Sequence, residues 1–409
     1  MRPVATQDDS LNARCQLHMT SSRPLKIAHV DIGQSLRGGQ RQLLNLARGL
    51  RQRGYCQIVV CREESELEMC AREGGFPTFS LPGHDLFHLY GVLQLRQMLR
   101  AAPCHVLHAH DGHGQTISWM ASIGLRVRRV ASRRVAFLPS EGQRWTYSLK
   151  YAHTCDAVIA VSDFIRQGAI RCGLPASMIE VIPDGIEVPP ELPSQATRAK
   201  ARARWGATED EFLIGHLGAF THEKGQDVAL QALLILKESL PQTRLLLAGD
   251  GPTLNDPEIA RRYAALGERV RLCGTIGDPA EFFAALDLFV MPSKSEGLGS
   301  SALMAMSYGL PVVASRVGGL PEVVEDGRTG RLIEPGSPAA LAEAILAAAS
   351  DPARLQQWGL SGRERARLFT IDIMVQRTEA LYRRLLAESL PREEGDAHSP
   401  PLSGGDKGW

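Results

Sequence analysis

A loop followed by a helix near residue 300 carries residue types suited to hold a phosphate and a sugar. Residues 293–325 read SKSEGLGSSALMAMSYGLPVVASRVGGLPEVVE. The Gly- and Ser-rich loop runs into a helix near Ser300, where unpaired backbone N–H groups and the positive end of the helix dipole coincide. Glu296 lies beside this phosphate cradle, and its carboxylate suits a neutral hydroxylated partner such as a sugar. The pattern therefore predicts an enzyme that binds a nucleotide-sugar.

A strand must precede the loop to position the phosphate cradle. Such strands are predicted throughout the chain, because short apolar runs alternate with helical segments. In the first half, the predicted strands are Lys26–Asp31, Gln57–Cys61, Phe76–Leu81, His105–Ala109, Val130–Phe137 and Ala157–Val161. In the second half, they are Phe212–Leu217, Arg244–Ala248, Arg269–Cys273, Leu288–Met291, Pro311–Ser315 and Gly330–Ile333. Helices are predicted at Gln40–Arg53, Asp227–Leu240, Pro338–Ala349 and Ile371–Leu386. Such alternation predicts an α/β fold with two doubly wound, Rossmann-like domains of parallel sheet.

A proline-rich stretch separates the two halves. Prolines at positions 183, 189, 190 and 193 break regular structure there. We predict an N-terminal domain at residues 24–185, a linker at 186–205 and a C-terminal domain at 206–370. A last amphipathic helix is expected within 371–388, and residues 1–23 and 389–409 are expected to be disordered because they are polar and poor in apolar residues.

The composition excludes several classes of protein. Hydrophobic residues make up 44% of the chain and charged residues 22%, as in ordinary globular proteins. No run approaches the roughly 18 apolar residues that a membrane-spanning helix needs, and the polar N-terminus lacks the apolar core of a signal peptide. The eight cysteines contain no C-x-x-C pair, which argues against a zinc site. We expect a cytoplasmic protein.

The net charge of +1 conceals an asymmetry between the halves. Residues 25–185 contain 19 Lys and Arg against 13 Asp and Glu, a net +6, whereas residues 206–388 contain 18 against 24, a net −6. A basic N-terminal half suits an anionic partner, such as a membrane surface at the inner face of the cell membrane or a lipid-linked acceptor. An ordinary solvated surface is an equally good interpretation of the charges.

Seven motifs, in their order along the chain, resemble those of the retaining glycosyltransferases of family 4, which have the GT-B fold. The resemblance covers roughly residues 24–386. It implies a central cleft between two Rossmann-like domains, with the donor nucleotide on the C-terminal domain and the acceptor mainly on the N-terminal one. The motifs are Gly38-Gly39-Gln40-Arg41-Gln42-Leu43-Leu44, His108-Ala109-His110-Asp111, Val161-Ser162, Val181-Ile182-Pro183-Asp184-Gly185-Ile186, Lys224-Gly225, Leu247-Ala248-Gly249-Asp250-Gly251-Pro252, and the opening stretch through Gly318-Gly319-Leu320-Pro321-Glu322.

The resemblance implies a set of site residues. We expect catalytic roles for Glu296 on the donor sugar, Lys224 on the diphosphate, and His110 and Asp111 on the acceptor or sugar. For the glycines, turns without a binding role are the alternative, and for Lys224 the alternative is a surface lysine. The expected donor-binding residues are Gly38, Gly39, Arg133, Arg134, Gly249, Gly251, Gly274, Thr275, Gly297, Leu298, Gly299, Ser300 and Ser301.

Two positions depart from the family pattern. The family has an arginine where this chain has Ala219, and a ribose-binding glutamate where it has Met304. Each lost contact is typically worth about 1.5–3 kcal/mol, so that uncompensated loss weakens donor binding very roughly a hundred- to ten-thousand-fold. Arg133 and Arg134 lie in a Ser-Arg-Arg-Val stretch that resembles a subgroup motif, and we expect them to compensate.

The spacing H-x-H-x-x-H at His108, His110 and His113, together with Asp111, also resembles a metal-binding pattern. The geometry expected at a strand end and the metal independence of the family argue against a metal there. A structural role is an equal alternative for His108. We expect neither a metal nor another cofactor.

We therefore expect a glycosyltransferase that moves a sugar from a nucleotide diphosphate to a hydroxyl of a glycan or lipid-linked acceptor, with retention of anomeric configuration. The implied context is the synthesis of surface polysaccharide or lipopolysaccharide, with peripheral contact to an anionic membrane and no nucleic-acid partner. A covalent intermediate on Asp111 is the alternative mechanism. A catalytically weak or inactive binding partner and a nucleotide-sugar epimerase are the alternative functions.

Overall fold

A computed structural model describes residues 24–82, 88–136 and 144–388 of the chain. The part preceding residue 190 is a seven-stranded parallel sheet with helices on both faces. Its strands are β1 (Lys26–Asp31), β2 (Cys56–Arg62), β3 (Thr78–Leu81), β4 (Val106–Ala109), β5 (Arg128–Arg133), β6 (Ala157–Ala160) and β7 (Ile179–Val181). Its helices are α1 (Gly38–Gln52), α2 (Glu66–Glu73), α3 (His88–Ala101), α4 (Gly112–Ser122), α5 (Arg144–Ala152) and α6 (Asp163–Arg171).

The second part is a six-stranded parallel sheet. Its strands are β8 (Phe212–Leu217), β9 (Thr243–Ala248), β10 (Val270–Gly274), β11 (Leu288–Met291), β12 (Val312–Ser315) and β13 (Gly330–Ile333). The helices after β7 are α7 (Gln195–Arg204), α8 (Gln226–Ile235), α9 (Pro257–Leu266), α10 (Ala280–Ala285), α11 (Ser300–Ser307), α12 (Leu320–Val323), α13 (Pro338–Ala349), α14 (Pro352–Ala366) and α15 (Ile371–Ala387).

The strand order places a topological switch point in each sheet. The orders are β3-β2-β1-β4-β5-β6-β7 and β10-β9-β8-β11-β12-β13. In each sheet the chain leaves the first strand in one direction and later returns to pair with its other side, at β4 in the first sheet and β11 in the second. Ligands of doubly wound folds bind beyond the carboxyl ends of the strands at such points. The functional site is therefore expected beyond β1 and β4 and beyond β8 and β11.

The last helix returns to the first sheet. Helix α15 packs on α1, and Arg53, directly after α1, donates to both Glu379, at 2.7 Å, and Asp372, at 2.6 Å. Met374 and Tyr382 of α15 are buried in the core beneath the first sheet. The apolar face of this amphipathic helix thus completes the core of the N-terminal part.

Most predicted strands agree with the structure to within two residues, because each is an apolar run buried inside a parallel sheet. The prediction Val130–Phe137 was wrong in length, since β5 ends at Arg133; Phe137 itself lies outside the described residues. Strand β7 was not predicted. The predicted linker 186–205 contains helix α7, whose Arg202 bonds to Asp287 of the second part.

Two further predictions concern the ends of the chain and membrane-spanning helices. The segments 1–23 and 389–409, predicted to be disordered, lie outside the described residues. Among the helices that the structure describes, none has the length and apolar character that crossing a bilayer requires.

Candidate active site

The phosphate cradle lies at the start of helix α11, directly beyond the buried strand β11. Gly299 caps this helix in a left-handed conformation with φ of 103°, and no side chain caps the N–H groups of the first turn. The first turn contains no acidic residue. A Cβ at position 299 would also lie 2.6 Å from Leu320 Cδ2, so glycine is needed there for both conformation and space. The open helix start is suited to bind an anion.

The two charged residues expected in the site meet beside this cradle. Lys224 Nζ lies 2.6 Å from Glu296 Oε2. Their loops are joined by the main chain, since the Lys294 N–H donates to the Glu223 carbonyl at 2.7 Å. The Lys294 ammonium in turn bonds to Asp227 at 2.9 Å. The structure therefore brings Lys224 and Glu296 together with the helix start, as a donor site requires.

The positions that depart from the family pattern surround the same site. Ala219 offers its carbonyl to the Gln226 side-chain amide at 2.8 Å and has no side chain to reach a phosphate. Met304 is partly buried on α11 and packs against the core. His216 lies buried below Lys224, and burial lowers the pKa of its imidazole to about 4. Its neutral ring adds no positive charge in place of the missing arginine.

The loop that carries Glu296 is supported by the N-terminal part. A Cβ at position 297 would lie 2.0 Å from the Arg134 carbonyl oxygen, so only glycine permits the two main chains to approach this closely. Ser162 is fully buried and donates its hydroxyl to the Gly297 carbonyl at 2.7 Å. Leu298 is 3% exposed and packs into the core, so its side chain does not line the cleft.

A second contact joins the two parts at the start of helix α6. The Glu322 carboxylate accepts from the backbone N–H groups of Asp163 and Phe164, both at 2.8 Å. Because the helix dipole is positive there, the start of α6 is a favourable place for a carboxylate. The Glu322 contact and the Gly297 contact together hold the donor loop against the N-terminal part.

The glycine-rich segment of the N-terminal part lies on the opposite side of the cleft. Gly38 and Gly39 lie in the first turn of α1. Gly39 faces the Arg134 side chain, because a Cβ at position 39 would lie 3.7 Å from Arg134 Cδ. Gln40 links this turn to the buried Asp31, donating to its carboxylate at 2.9 Å and accepting from the Arg37 N–H at 3.1 Å. The turn is thus fixed by a residue, Asp31, that the sequence analysis did not single out.

The glycines that follow β9 and β10 have different surroundings. Gly249 and Gly251 lie against the main chain of residues 218–220, close enough that no side chain would fit. This close packing explains why glycine is needed at both positions, and their expected approach to the donor stays a prediction. Gly274 and Thr275 are exposed at the end of β10, where they remain accessible.

The two arginines expected to compensate are already engaged by protein groups. The Arg134 guanidinium donates to Asp184 at 2.9 Å and to His110 Nδ1 at 3.4 Å, and the two charged side chains are 14% and 8% exposed. Arg133 lies over the rings of Tyr147 and Tyr151, at 5.4 and 5.7 Å from their centroids. In this structure, neither guanidinium lies free in the cleft.

Arg134 begins a hydrogen-bonded chain that runs below the cleft. His110 bonds to His29 at 3.1 Å, and His29 bonds to the side-chain amide oxygen of Gln57 at 2.9 Å. These three contacts, from Arg134 to His110, from His110 to His29 and from His29 to Gln57, are consistent with two neutral imidazoles that each donate away from Arg134. Burial, opposed by the bond to Gln57, lowers the pKa of His29 to about 4. His110 is also buried. Burial lowers the pKa of its imidazole well below the usual value, and the neighbouring His108, Arg134 and His29 lower it further.

His29, His108 and His110 are close enough to hold a metal ion, because one ring nitrogen of each lies within 4.8 Å of the others. However, His108 bonds to Tyr382 at 2.6 Å and to Ser132 at 2.8 Å, so that all six ring nitrogens of the cluster have protein partners. The neighbouring Arg134 guanidinium also disfavours a cation. The cluster does not fit a metal site. His113, the third histidine of the H-x-H-x-x-H spacing, is exposed and lies outside the cluster.

Two carboxylates lie at the carboxyl ends of β1 and β4. Asp111 caps helix α4, accepting from the N–H groups of His113 and Gly114. Burial, and then the nearby Asp31 carboxylate, raise the pKa of Asp111 to about 6 despite these bonds. Burial raises the pKa of Asp31 as well. Asp111 thus lies at the strand end where an acceptor is expected, and its pKa is raised.

Comparison with known proteins gives two family matches that together span most of the chain. The model of Glycosyltransferase Family 4 matches residues 36–188, and the model of Glycosyl transferases group 1 matches residues 211–351. The chain is similar in fold to the crystal structure of Anabaena Alr3699/HepE in complex with UDP and glucose. That similarity has a TM-score of 0.79 at 23% identity, over 88% of this chain and all of the other.

Two of the relatives that are similar in sequence are mannosyltransferases by name. One is the GDP-mannose-dependent alpha-(1-6)-phosphatidylinositol monomannoside mannosyltransferase of Mycolicibacterium smegmatis, 31% identical over 61% of this chain. The match spans 63% of that relative, slightly less than two thirds of its length. The other is the lipopolysaccharide core biosynthesis mannosyltransferase LpsB of Rhizobium meliloti, 30% identical over 75% of this chain and 86% of the relative. The chain belongs to glycosyltransferase family 4 and has the GT-B fold of these enzymes.

Proposed function

We propose that this protein transfers a sugar from a nucleotide diphosphate to a hydroxyl of a glycan or lipid-linked acceptor, with retention at the anomeric carbon. One observation carries the proposal. The uncapped start of α11, Lys224 and Glu296 converge beyond the switch point of the second sheet. A diphosphate would receive main-chain N–H groups and an ammonium there, while the carboxylate would face the sugar.

In the proposed reaction, catalysis comes from positioning and from stabilising the departing diphosphate. Lys224 and the N–H groups at Ser300 and Ser301 would bear its growing negative charge. The acceptor would attack from the face that the leaving group vacates, and the leaving phosphate oxygen would take the acceptor proton. Asp111, at the end of β4, would orient the acceptor hydroxyl. This scheme assigns no step to a metal ion.

The relatives support a role in the assembly of cell-surface glycans. One relative is named for a phosphatidylinositol mannoside acceptor and the other for the lipopolysaccharide core. Both names describe a lipid-linked glycan. We propose the same class of acceptor for this chain, at the cytoplasmic face of the membrane.

A catalytically weak or inactive relative is the second candidate. Ala219 and Met304 favour it, because both replace groups that would contact the nucleotide. It predicts that a nucleotide binds weakly and that no sugar nucleotide is turned over.

A thermal-shift screen with UDP, GDP, ADP and CMP tests the proposal. A nucleotide at a hundred times its dissociation constant stabilises the native state by about 2.7 kcal/mol, which is readily measured. We expect a shift with one nucleotide that is lost in Lys224→Ala and kept in Lys237→Ala, a change at an exposed lysine remote from the cradle. Absence of a shift with all four nucleotides at millimolar concentration would instead favour the inactive relative.

Turnover of the matching sugar nucleotide then separates the remaining functions. A transferase forms a glycoside with the acceptor, and NMR of its anomeric proton reports retention or inversion. An epimerase converts the donor itself without an acceptor, and that product would overturn the proposal.

A further inference from the structure

His216 has a buried ring nitrogen without a partner, next to Lys224. The residue is fully buried near the end of β8, and its imidazole is stacked with the Phe289 ring, with the ring centroids 6.5 Å apart. Its Nδ1 bonds to the Val290 carbonyl oxygen at 3.0 Å. Within the part of the chain that the structure describes, its Nε2 has no hydrogen-bond partner. A buried polar atom without a partner is costly, so this nitrogen calls for an explanation.

The bond to Val290 determines which nitrogen of the His216 ring carries the proton. A carbonyl oxygen only accepts, so Nδ1 is the donor in this bond. The imidazole is neutral near pH 7, because burial lowers its pKa to about 4. In a neutral ring with its proton on Nδ1, Nε2 carries a lone pair and can only accept. An ionised phosphate has no proton to donate to it, whereas an ammonium has three.

Gly218 leaves open the space between Nε2 and the Lys224 side chain. A Cβ at position 218 would lie 3.4 Å from His216 Nε2 and 3.7 Å from Lys224 Cδ, so both groups border one small region. In the structure, the Lys224 ammonium lies 2.6 Å from Glu296 Oε2. Because an ammonium has three N–H groups, it can bond to more than one acceptor at a time.

We infer that His216 is a positioning residue for Lys224, and that Nε2 accepts an N–H of the Lys224 ammonium when a nucleotide diphosphate is bound. The diphosphate then replaces Glu296 as the anionic partner of the ammonium, and Glu296 is released to face the sugar. A neutral acceptor suits this position, because it orients the ammonium without cancelling the charge that attracts the diphosphate. Since position 219 is an alanine, Lys224 is the side-chain cation that the proposed function assigns to the diphosphate.

The inference rests on the proposed function, because it concerns the diphosphate of the donor. Calorimetric titration of the full-length protein with UDP, GDP and ADP tests it. His216→Asn retains an amide donor for the Val290 carbonyl but has no acceptor in the place of Nε2. With whichever diphosphate binds, we expect this variant to bind about tenfold more weakly than the unaltered protein. His216→Gln, whose amide oxygen can lie near the position of Nε2, should recover most of this loss.

Gly218→Ala is a second variant, which leaves the imidazole in place. The added methyl group would make contacts of ordinary length with His216 and Lys224, yet it would occupy the space between them. We expect a similar loss of diphosphate affinity. The double variant Gly218→Ala/His216→Asn should bind within about twofold of the weaker single variant, because both changes break the same contact. Two independent structural effects would instead give losses that add.

Thermal unfolding without nucleotide shows whether each variant is folded. A folded His216→Asn variant that binds the diphosphate as the unaltered protein does would overturn the inference and leave the proposed function intact. Additive losses in the double variant would overturn it too. So would uptake of a proton on binding that His216→Asn abolishes, measured from the binding heat in buffers of different ionisation enthalpy, because the ring would then act as a cation. If none of the three diphosphates binds to the unaltered protein, the inference fails together with the proposed function.

Discussion

Lys224 Nζ and Glu296 Oε2 lie 2.6 Å apart, although the two residues are separated by 72 positions in the chain. Before a donor binds, each charge neutralises the other beside an uncapped helix start. In the proposed function, a diphosphate that approaches Lys224 would compete with Glu296 for the ammonium. The helix start involves no such competition, because its N–H groups have no side-chain cap.

Restoring the missing carboxylate should strengthen donor binding. We expect Met304→Glu to raise the affinity for the preferred nucleotide by roughly ten- to a hundredfold, the equivalent of one charge-assisted contact. Calorimetric titration of the unaltered protein and the variant measures the change. Met304→Gln is the matched control, with a smaller gain. Equal or weaker binding by Met304→Glu would show that the ribose does not lie beside α11.

Removing Asp184 should destabilise the fold. The substitution Asp184→Ala leaves the Arg134 guanidinium buried without its anionic partner. We therefore expect the free energy of unfolding to fall by about 3–5 kcal/mol. Denaturant titration measures this loss. The control is Glu180→Ala, which removes an exposed pair with Arg384 and should change stability by about 1 kcal/mol or less. A comparable effect of the two substitutions would contradict a buried role for Asp184.

Removing Glu322 should loosen the contact between the two parts. Glu322→Ala leaves the N–H groups of Asp163 and Phe164 without their acceptor, so we expect a loss of about 1.5–3 kcal/mol in the free energy of unfolding. Small-angle scattering should also report a larger radius of gyration. Glu343→Ala, at an exposed position on α13, is the control. If Glu322→Ala and Glu343→Ala have the same free energy of unfolding and the same radius of gyration, the Glu322 contact does not hold the two parts together.

Acidification should destabilise the protein through its buried histidines. His29 and His216 have pKa values lowered from 6.5 to about 4, mainly by burial. Between pH 6.5 and 4 their unfolded forms bind protons that the native forms do not. Each imidazole therefore contributes stability that is fully present above pH 6.5 and is lost as the pH falls, by about 3 kcal/mol at pH 4.

Two buried carboxyls oppose this trend. Asp111 and Asp31 have raised pKa values, so the stability that each contributes is lost as the pH rises. For Asp111 this loss occurs between pH 3.8 and about 6. His108 and His110, with lowered pKa values, act in the same direction as His29 and His216, so the imidazoles prevail. Unfolding titrations across pH should give a shallower dependence for His216→Asn, which keeps a donor to the Val290 carbonyl. An unchanged slope would contradict the lowered pKa of His216.

Local patterns made much of the fold predictable from sequence. The strands β1, β8, β11 and β13 were predicted to the residue, because short runs of mainly apolar residues between loops are typical of strands buried on both faces. The cradle at α11 was predictable for the same reason, since a strand, a glycine-rich loop and a helix follow one another directly. Strand β7 has only three residues and offers no comparable pattern.

The surroundings of the side chains were not predictable, because they depend on contacts distant in sequence. Arg134 was expected to bind the donor, but Asp184, 50 positions away, pairs with its guanidinium. His29 was overlooked, although it lies on β1 in register with His108 on β4. A histidine within an otherwise apolar strand is the one signal that could have drawn attention to it.

On its side of the contact with the Glu296 loop and Glu322, the N-terminal part contributes mainly main-chain groups: the Arg134 carbonyl group and the first N–H groups of α6. Main-chain groups are present whatever side chain a position carries. Side chains of the N-terminal part can therefore be substituted without loss of this contact. Ser162 is the exception, because its side-chain hydroxyl makes the bond to Gly297. Such an arrangement lets acceptor choice diverge during evolution while the geometry of donor binding is inherited.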